Sequence, residues 1–173
     1  MREDLNSLLR RTRIVSGFIL FFYAATHLLN HSLATFSIST ADAAREYFIA
    51  FWRNPIAEIF LFASFALHIL LGIQAVLRRK SFKMTKREWL QMTFPFVALL
   101  ALIPHILTTA ILSRVFAVTD NYELIFAATL VDPAKASSNV IFFSLMVVLI
   151  WTHGVIGIHS LLQTKPVYAR LRQ

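Results

Sequence analysis

The chain has 173 residues, of which 57% are hydrophobic, and its mean hydropathy is +0.64. This composition excludes an ordinary soluble enzyme and indicates a membrane protein. The absence of cysteine excludes disulfides, thiolate-bound iron–sulphur clusters and thioether-bound haem. The net charge of +8 does not indicate a nucleic-acid partner, because most basic residues flank apolar segments, as the positive-inside rule describes.

Four apolar segments are each long enough to cross a bilayer, at about residues 14–36, 55–77, 89–113 and 139–162. Their basic flanks alternate, which places the N-terminal segment, the loop 78–87 and the tail after residue 164 on one side. The sequence therefore predicts an all-α protein, a transmembrane four-helix bundle built as a single membrane domain over residues 1–173. We expect a multi-pass protein of the bacterial inner (cytoplasmic) membrane with both termini cytoplasmic.

The two outer connections are long enough to hold short helices. Residues 37–54 are rich in aromatic side chains, which favour the headgroup region of a membrane. Residues 114–138 contain Asp120 and Glu123 at the spacing of a capping box. We therefore predict a short interfacial helix in each outer loop.

Polar and proline residues predict how the spans begin and bend. Pro55 suits the first turn of the second span, and Thr85 with Glu88 has capping-box spacing for the third. The fourth span can be capped by Ser137, Ser138 or Asn139. The third span can be kinked by Pro95 or Pro104.

All six histidines fall within the four spans, where a polar ring is costly and indicates function. With a rise of about 1.5 Å per residue, depths can be counted from the basic flanks Arg13, Arg78, Arg87 and Lys165. His27 and His105 then lie roughly 21–27 Å from the inner flank. His68 and His153 lie roughly 15–18 Å from it. The sequence thus predicts an outer pair and an inner pair of histidines.

Glycine accompanies the inner pair. Gly72 follows His68 by four residues, and Gly157 follows His153 by four, so imidazole and bare backbone share one helix face. The glycines serve either close helix packing or a flat group lying on that face. Four histidines at two depths favour two bis-His b-type haems over single structural histidines, and over zinc or copper, whose ligands converge at one depth.

Two histidines and one carboxylate have open roles. His31 lies one turn beyond His27 and is an alternative outer ligand. His159, toward the inner surface, suits a haem propionate, a quinone or helix packing. Glu58, near the outer end of the second span, is the other quinone candidate.

These residues resemble the membrane cytochrome b subunits of succinate dehydrogenase and fumarate reductase, especially the di-haem type. In that family a small residue and a glycine precede a first-helix ligand, ten positions after the glycine, as Ser16-Gly17 precede His27. The run His153-Gly154-Val155-Ile156-Gly157-Ile158-His159 is similar to the family's last ligand motif. The resemblance implies that His27 pairs with His105 and His68 with His153, and it favours His27 over His31.

Two runs and the tail also resemble the haem-containing membrane anchors of some bacterial class III adenylate cyclases. They are Thr26-His27-Leu28-Leu29-Asn30-His31, residues 153–159 and the basic stretch 165–172. Those anchors continue into further helices and a cyclase domain. This resemblance implies either a stand-alone relative or the four-helix portion of a longer protein.

The sequence thus predicts a membrane cytochrome with two haem b groups that transfers electrons between quinone and a partner protein. It would be the electron-transfer and anchor subunit of an oxidoreductase and not a catalyst alone. Its basic inner face suits a redox or signalling partner protein on the cytoplasmic side, and a homo-oligomer in membrane lipid is compatible with it. The alternatives are a redox- or quinone-sensing anchor of an adenylate cyclase and a haem-free structural membrane protein.

Overall fold

The computed structural model describes residues 2–117, 121–163 and 165–166, and these residues form helices and turns without a strand. The α-helices are α1 (Arg2–Ser32), α2 (Ile38–Trp52), α3 (Pro55–Leu77), α4 (Lys86–Ile106), α5 (Ser113–Val115), α6 (Tyr122–Leu130) and α7 (Pro133–Leu162). A 3-10 turn, Leu33–Thr35, follows α1, and a π-helical segment, Leu107–Leu112, joins α4 to α5. The predicted all-α class is confirmed.

Four helical stretches are long and apolar enough to cross a membrane: Asp4–Thr35, Pro55–Leu77, Lys86–Ile111 and Pro133–Leu162. Large apolar side chains along them are exposed, as contact with lipid requires. Leu29, Leu70 and Leu100 expose 64%, 62% and 77% of their surface. The number of spans and the multi-pass character agree with the sequence, whereas the bacterial inner membrane and the direction of insertion stay predictions.

The chain forms two compact units, residues 1–82 and residues 83–173. In the first unit α1 packs along α3, and α2 contacts both of these helices. In the second unit α4 packs along α7, which also contacts α6. Each unit therefore contains one long pair of helices, accompanied by α2 in the first unit and by α5 and α6 in the second. The single membrane domain stays a prediction.

Two of the predicted helix starts are confirmed. Pro55 is the first residue of α3, and the Asn54 side chain accepts a hydrogen bond from the backbone N–H of Ile56 at 3.0 Å. At the start of α4, Thr85 and Glu88 form a reciprocal capping box. Both caps satisfy N–H groups that the first helical turn leaves without partners.

Two helices begin earlier in the sequence than the predicted spans that they contain. α1 begins at Arg2 and not near residue 14, because its charged first turns continue the helix of the apolar span. α7 begins at Pro133, where Asp132 accepts from the backbone N–H of Ala134. The capping residues predicted for the fourth span are therefore wrong, because α7 already includes Ser137, Ser138 and Asn139.

Both short helices of the outer loops are present. Ser37 caps α2 by accepting from the backbone N–H of Thr40 at 3.0 Å. Asn121 caps α6 by accepting from the backbone N–H of Leu124 at 2.9 Å. The predicted capping residue Asp120 lies outside the described residues. The interfacial position of the two helices stays a prediction.

The third span contains both prolines within regular helix. α4 continues through Pro95 and Pro104 to Ile106, and the departure into π geometry comes directly afterwards. A proline inside a helix removes one N–H donor and leaves the carbonyl four residues earlier without its helical partner. The two carbonyls concerned belong to Gln91 and Leu100, and the first of them is part of the site described next.

Candidate cofactor site

Each unit contains three of the six histidines, and all six side chains are half-buried. The first unit holds His27, His31 and His68, and the second holds His105, His153 and His159. The two members of each predicted pair lie in different units.

His68 on α3 is held by the backbone of α1. Its Nδ1 lies 3.1 Å from the carbonyl oxygen of Arg13 and 3.3 Å from the hydroxyl of Ser16. A carbonyl oxygen only accepts hydrogen bonds, so Nδ1 carries the proton and donates it. In the neutral ring Nε2 is then the unprotonated nitrogen, which is the one able to bind a metal. Ser16 is 3% exposed, and its hydroxyl donates to the same carbonyl at 3.1 Å.

The glycine of α1 gives the His68 ring its space. A Cβ atom added to Gly17 would lie 2.9 Å from His68 Cε1 and 3.2 Å from His68 Nδ1. A Cβ atom essentially never approaches another heavy atom this closely. The Ser16-Gly17 pair therefore serves His68 directly, a contact that the sequence comparison with His27 did not predict.

Gly17→Ala is expected to lower the free energy of unfolding by about 1–3 kcal/mol, because the added methyl group overpacks the contact with His68. The matched control is Gly72→Ala, since no described atom lies within 4 Å of a Cβ at that position. The control should gain up to about 1 kcal/mol from helix propensity. Denaturation in detergent, followed by circular dichroism, measures both. Equal midpoints would contradict the contact.

His153 on α7 is held in the same way by α4. Its Nδ1 lies 3.0 Å from the carbonyl oxygen of Gln91, so Nδ1 is again the donor and Nε2 the unprotonated nitrogen. This carbonyl is available because its helical partner would be the N–H of residue 95, and that residue is Pro95. The proline therefore frees an acceptor at the place where the imidazole reaches α4.

In both units the predicted outer histidine follows the residue whose carbonyl holds the inner histidine by the same number of positions. In the first, His27 follows the accepting residue Arg13 by 14 positions, and in the second, His105 follows Gln91 by 14. Since His68 packs against Gly17, His27 lies ten residues, or about 15 Å, beyond it. Within the first unit the backbone of Arg13 therefore lies level with His68, and His27 is farther from His68 than the difference between the two flank-based depths.

The glycines of α3 and α7 differ in their surroundings. A Cβ at Gly72 would meet no described atom within 4 Å, whereas one at Gly157 would lie 3.4 Å from Gln91 Nε2. The side-chain oxygen of Gln91 is buried and has no hydrogen-bond partner among the described residues. The face beside His68 thus has room for a flat group, and the amide beside Gly157 has spare hydrogen-bonding capacity.

The outer histidines of α1 contact each other. The Nε2 atoms of His27 and His31 are 3.0 Å apart, and their rings meet edge to face. Tyr23 stacks on His27 with ring centroids 5.5 Å apart. Phe48 from α2 also packs against His27, with ring centroids 5.5 Å apart. One Nε2 donates and the other accepts, so a metal at either Nε2 requires this hydrogen bond to open.

The remaining candidates lie near helix ends. His105 packs edge to face against Phe143 of α7, with centroids 6.4 Å apart, one residue before α4 ends. His159 lies in the last turn of α7, and Glu58 lies in the first turn of α3. A carboxylate is favoured in a first helical turn by the free N–H groups there, which accounts for Glu58 without a ligand.

Sequence reasoning missed the groups that orient the inner histidines, because two of them are backbone carbonyls. A signal was present for one of these, since a proline inside a helix marks the carbonyl four residues before it, here that of Gln91. No group of three or more histidine and acidic side chains suited to a metal ion occurs in the described part of the chain. Comparison with known families, curated proteins and solved structures gave no match.

Proposed function

We propose that the protein is a membrane b-type cytochrome that binds two haems through His68 with His153 and His27 with His105. The observation that supports it best is the common orientation of the inner histidines. In both units Nδ1 donates to a carbonyl of the neighbouring long helix. A histidine that ligates a metal almost always donates its other ring nitrogen to a carbonyl, a carboxylate or water.

The residues present fit a haem. His68 and His153 would each offer Nε2, the nitrogen that is unprotonated in the tautomer set by the carbonyl. Gly72 leaves open space on the face of His68, which a flat macrocycle would need. The separation of about 15 Å between His68 and His27 along the first unit supports two separate sites over one shared site.

The chain's own residues would fix the ligands and keep them apart from water. The carbonyls of Arg13 and Gln91 hold the ring planes and the tautomers, and a hydrogen-bonded imidazole is a more basic ligand. Bound haem supplies one-electron redox chemistry, with a potential set by axial ligands and hydrogen bonds. Electron exchange with quinone and with a partner protein belongs to the same proposal, and Glu58 and His159 are its quinone candidates.

The test is a reduced-minus-oxidised visible spectrum of the purified chain, with haem quantified per polypeptide. We expect about two b haems per chain with low-spin bis-His bands, since four ligands at two levels make two six-coordinate sites. Expression with an ample haem supply excludes a shortage of haem as the cause of a low haem content per polypeptide. No haem under those conditions would leave the haem-free structural protein as the remaining interpretation.

A further inference from the structure

A basic cavity lies at the end of the first unit where α1 begins and α3 ends. Its volume is about 130 Å³, and the side chains of Arg10, Arg13 and Arg78 line it. Among the residues whose side chains the structure describes, none that lines it is acidic. The site proposed for haem does not use this cavity, which lies on the N-terminal side of the contact between His68 and α1.

The three arginines that line the cavity carry like charges that repel one another, and an anion bound beside them lowers that repulsion. Arg78 is already positioned, since its Nη1 donates to Asn6 Oδ1 at 3.3 Å. A guanidinium presents paired N–H donors in a planar fork, which matches the oxygens of a phosphate group. The arrangement therefore favours a phosphate-bearing anion over a cation or a neutral ligand.

The position along the spans indicates where that phosphate comes from. Arg78 directly follows Leu77, the last residue of the second candidate span, and Asn6 lies two residues into the first. The cavity is thus at the boundary between apolar helix and polar surroundings. Leu9 and Leu71 add apolar surface to its lining, which a phospholipid can cover and a free phosphate cannot.

We propose that this cavity binds the phosphate of an anionic phospholipid headgroup. The volume suits it, because about 10–15 Å³ of such space holds one water molecule, so the cavity has room for the four oxygens of a phosphate group. This site goes beyond the proposed cytochrome function and requires no haem. It would fix the depth of α1 and α3 relative to one leaflet.

The test compares two double variants of the full-length chain in detergent. Arg10→Gln with Arg78→Gln removes two guanidinium groups from the cavity. Arg11→Gln with Arg79→Gln removes two guanidinium groups at neighbouring positions that do not line the cavity. Both double variants change the net charge by the same amount. The dissociation constant of short-chain phosphatidylglycerol should rise about 30-fold in the first variant, and by less than about threefold in the second.

Three further measurements decide the assignment. Arg10→Lys with Arg78→Lys keeps the charge but loses the planar fork, so its affinity should lie between those of the unchanged chain and the Arg10→Gln/Arg78→Gln variant, and circular dichroism should show unchanged helix content in every variant. Phosphatidylcholine of the same chain length should bind at least about tenfold more weakly than phosphatidylglycerol, because its choline cation opposes the arginines. Equal losses in the two glutamine variants would overturn the site, and inorganic phosphate that blocks phosphatidylglycerol at equal concentration would overturn the lipid assignment.

Discussion

His153→Ala is expected to reduce the haem content from about two to about one per chain, and His68→Ala is expected to remove the same haem. Both imidazoles are held by carbonyls in the same orientation, on helices that the sequence pairs at the inner level. Loss of either leaves a site with one axial ligand, which no longer retains a low-spin haem. Redox titration of the visible bands shows which of the two midpoint potentials disappears.

The matched control is His31→Ala. His31 is half-buried in a span like the inner histidines and contacts His27, yet the sequence resemblance gives it no ligand role. The variant should keep both haems and both potentials. Disappearance of different potentials in His153→Ala and His68→Ala would contradict the inner pair. Loss of haem in His31→Ala would exchange the roles of His31 and His27.

The spans of this chain were predictable because hydropathy and helix caps are local signals. The second span was predicted at residues 55–77, and α3 has the same bounds, because a proline and a basic pair mark its ends. The start of the first helix was not predictable from hydropathy. Arg10, Arg11 and Arg13 lower the local hydropathy, yet arginine is a good helix former and α1 continues through them.

The site was only partly predictable, because side-chain chemistry is visible in a sequence and backbone acceptors are not. Histidines at two levels could be identified from their spacing. The carbonyl of Arg13 could not, since every residue has one and only packing of α3 on α1 selects this one. The distance between His27 and His68 along α1 was not predictable for the same reason, because it depends on where His68 contacts α1.

Pro95→Ala is expected to weaken binding of the inner haem about tenfold, although the substitution favours the helix. Alanine restores an N–H at residue 95, which competes with His153 for the carbonyl of Gln91. The imidazole then shares the carbonyl that fixes its tautomer and ring plane, and this hydrogen bond weakens. Loss of such a partner typically costs 10- to 100-fold in metal affinity (here about tenfold, since the ring is also packed).

The direction of the stability change separates this effect from misfolding. Replacing a helix-interior proline by alanine should stabilise α4 by up to about 3 kcal/mol, so weaker haem binding would accompany a more stable apoprotein. Pro104→Ala is the control. It also restores an N–H to α4, but this N–H pairs with the carbonyl of Leu100, which does not hold His153. Haem titration of the apoprotein, with the potential of each haem recorded, measures both. An unchanged inner haem in Pro95→Ala would mean that the Gln91 carbonyl holds His153 for packing alone.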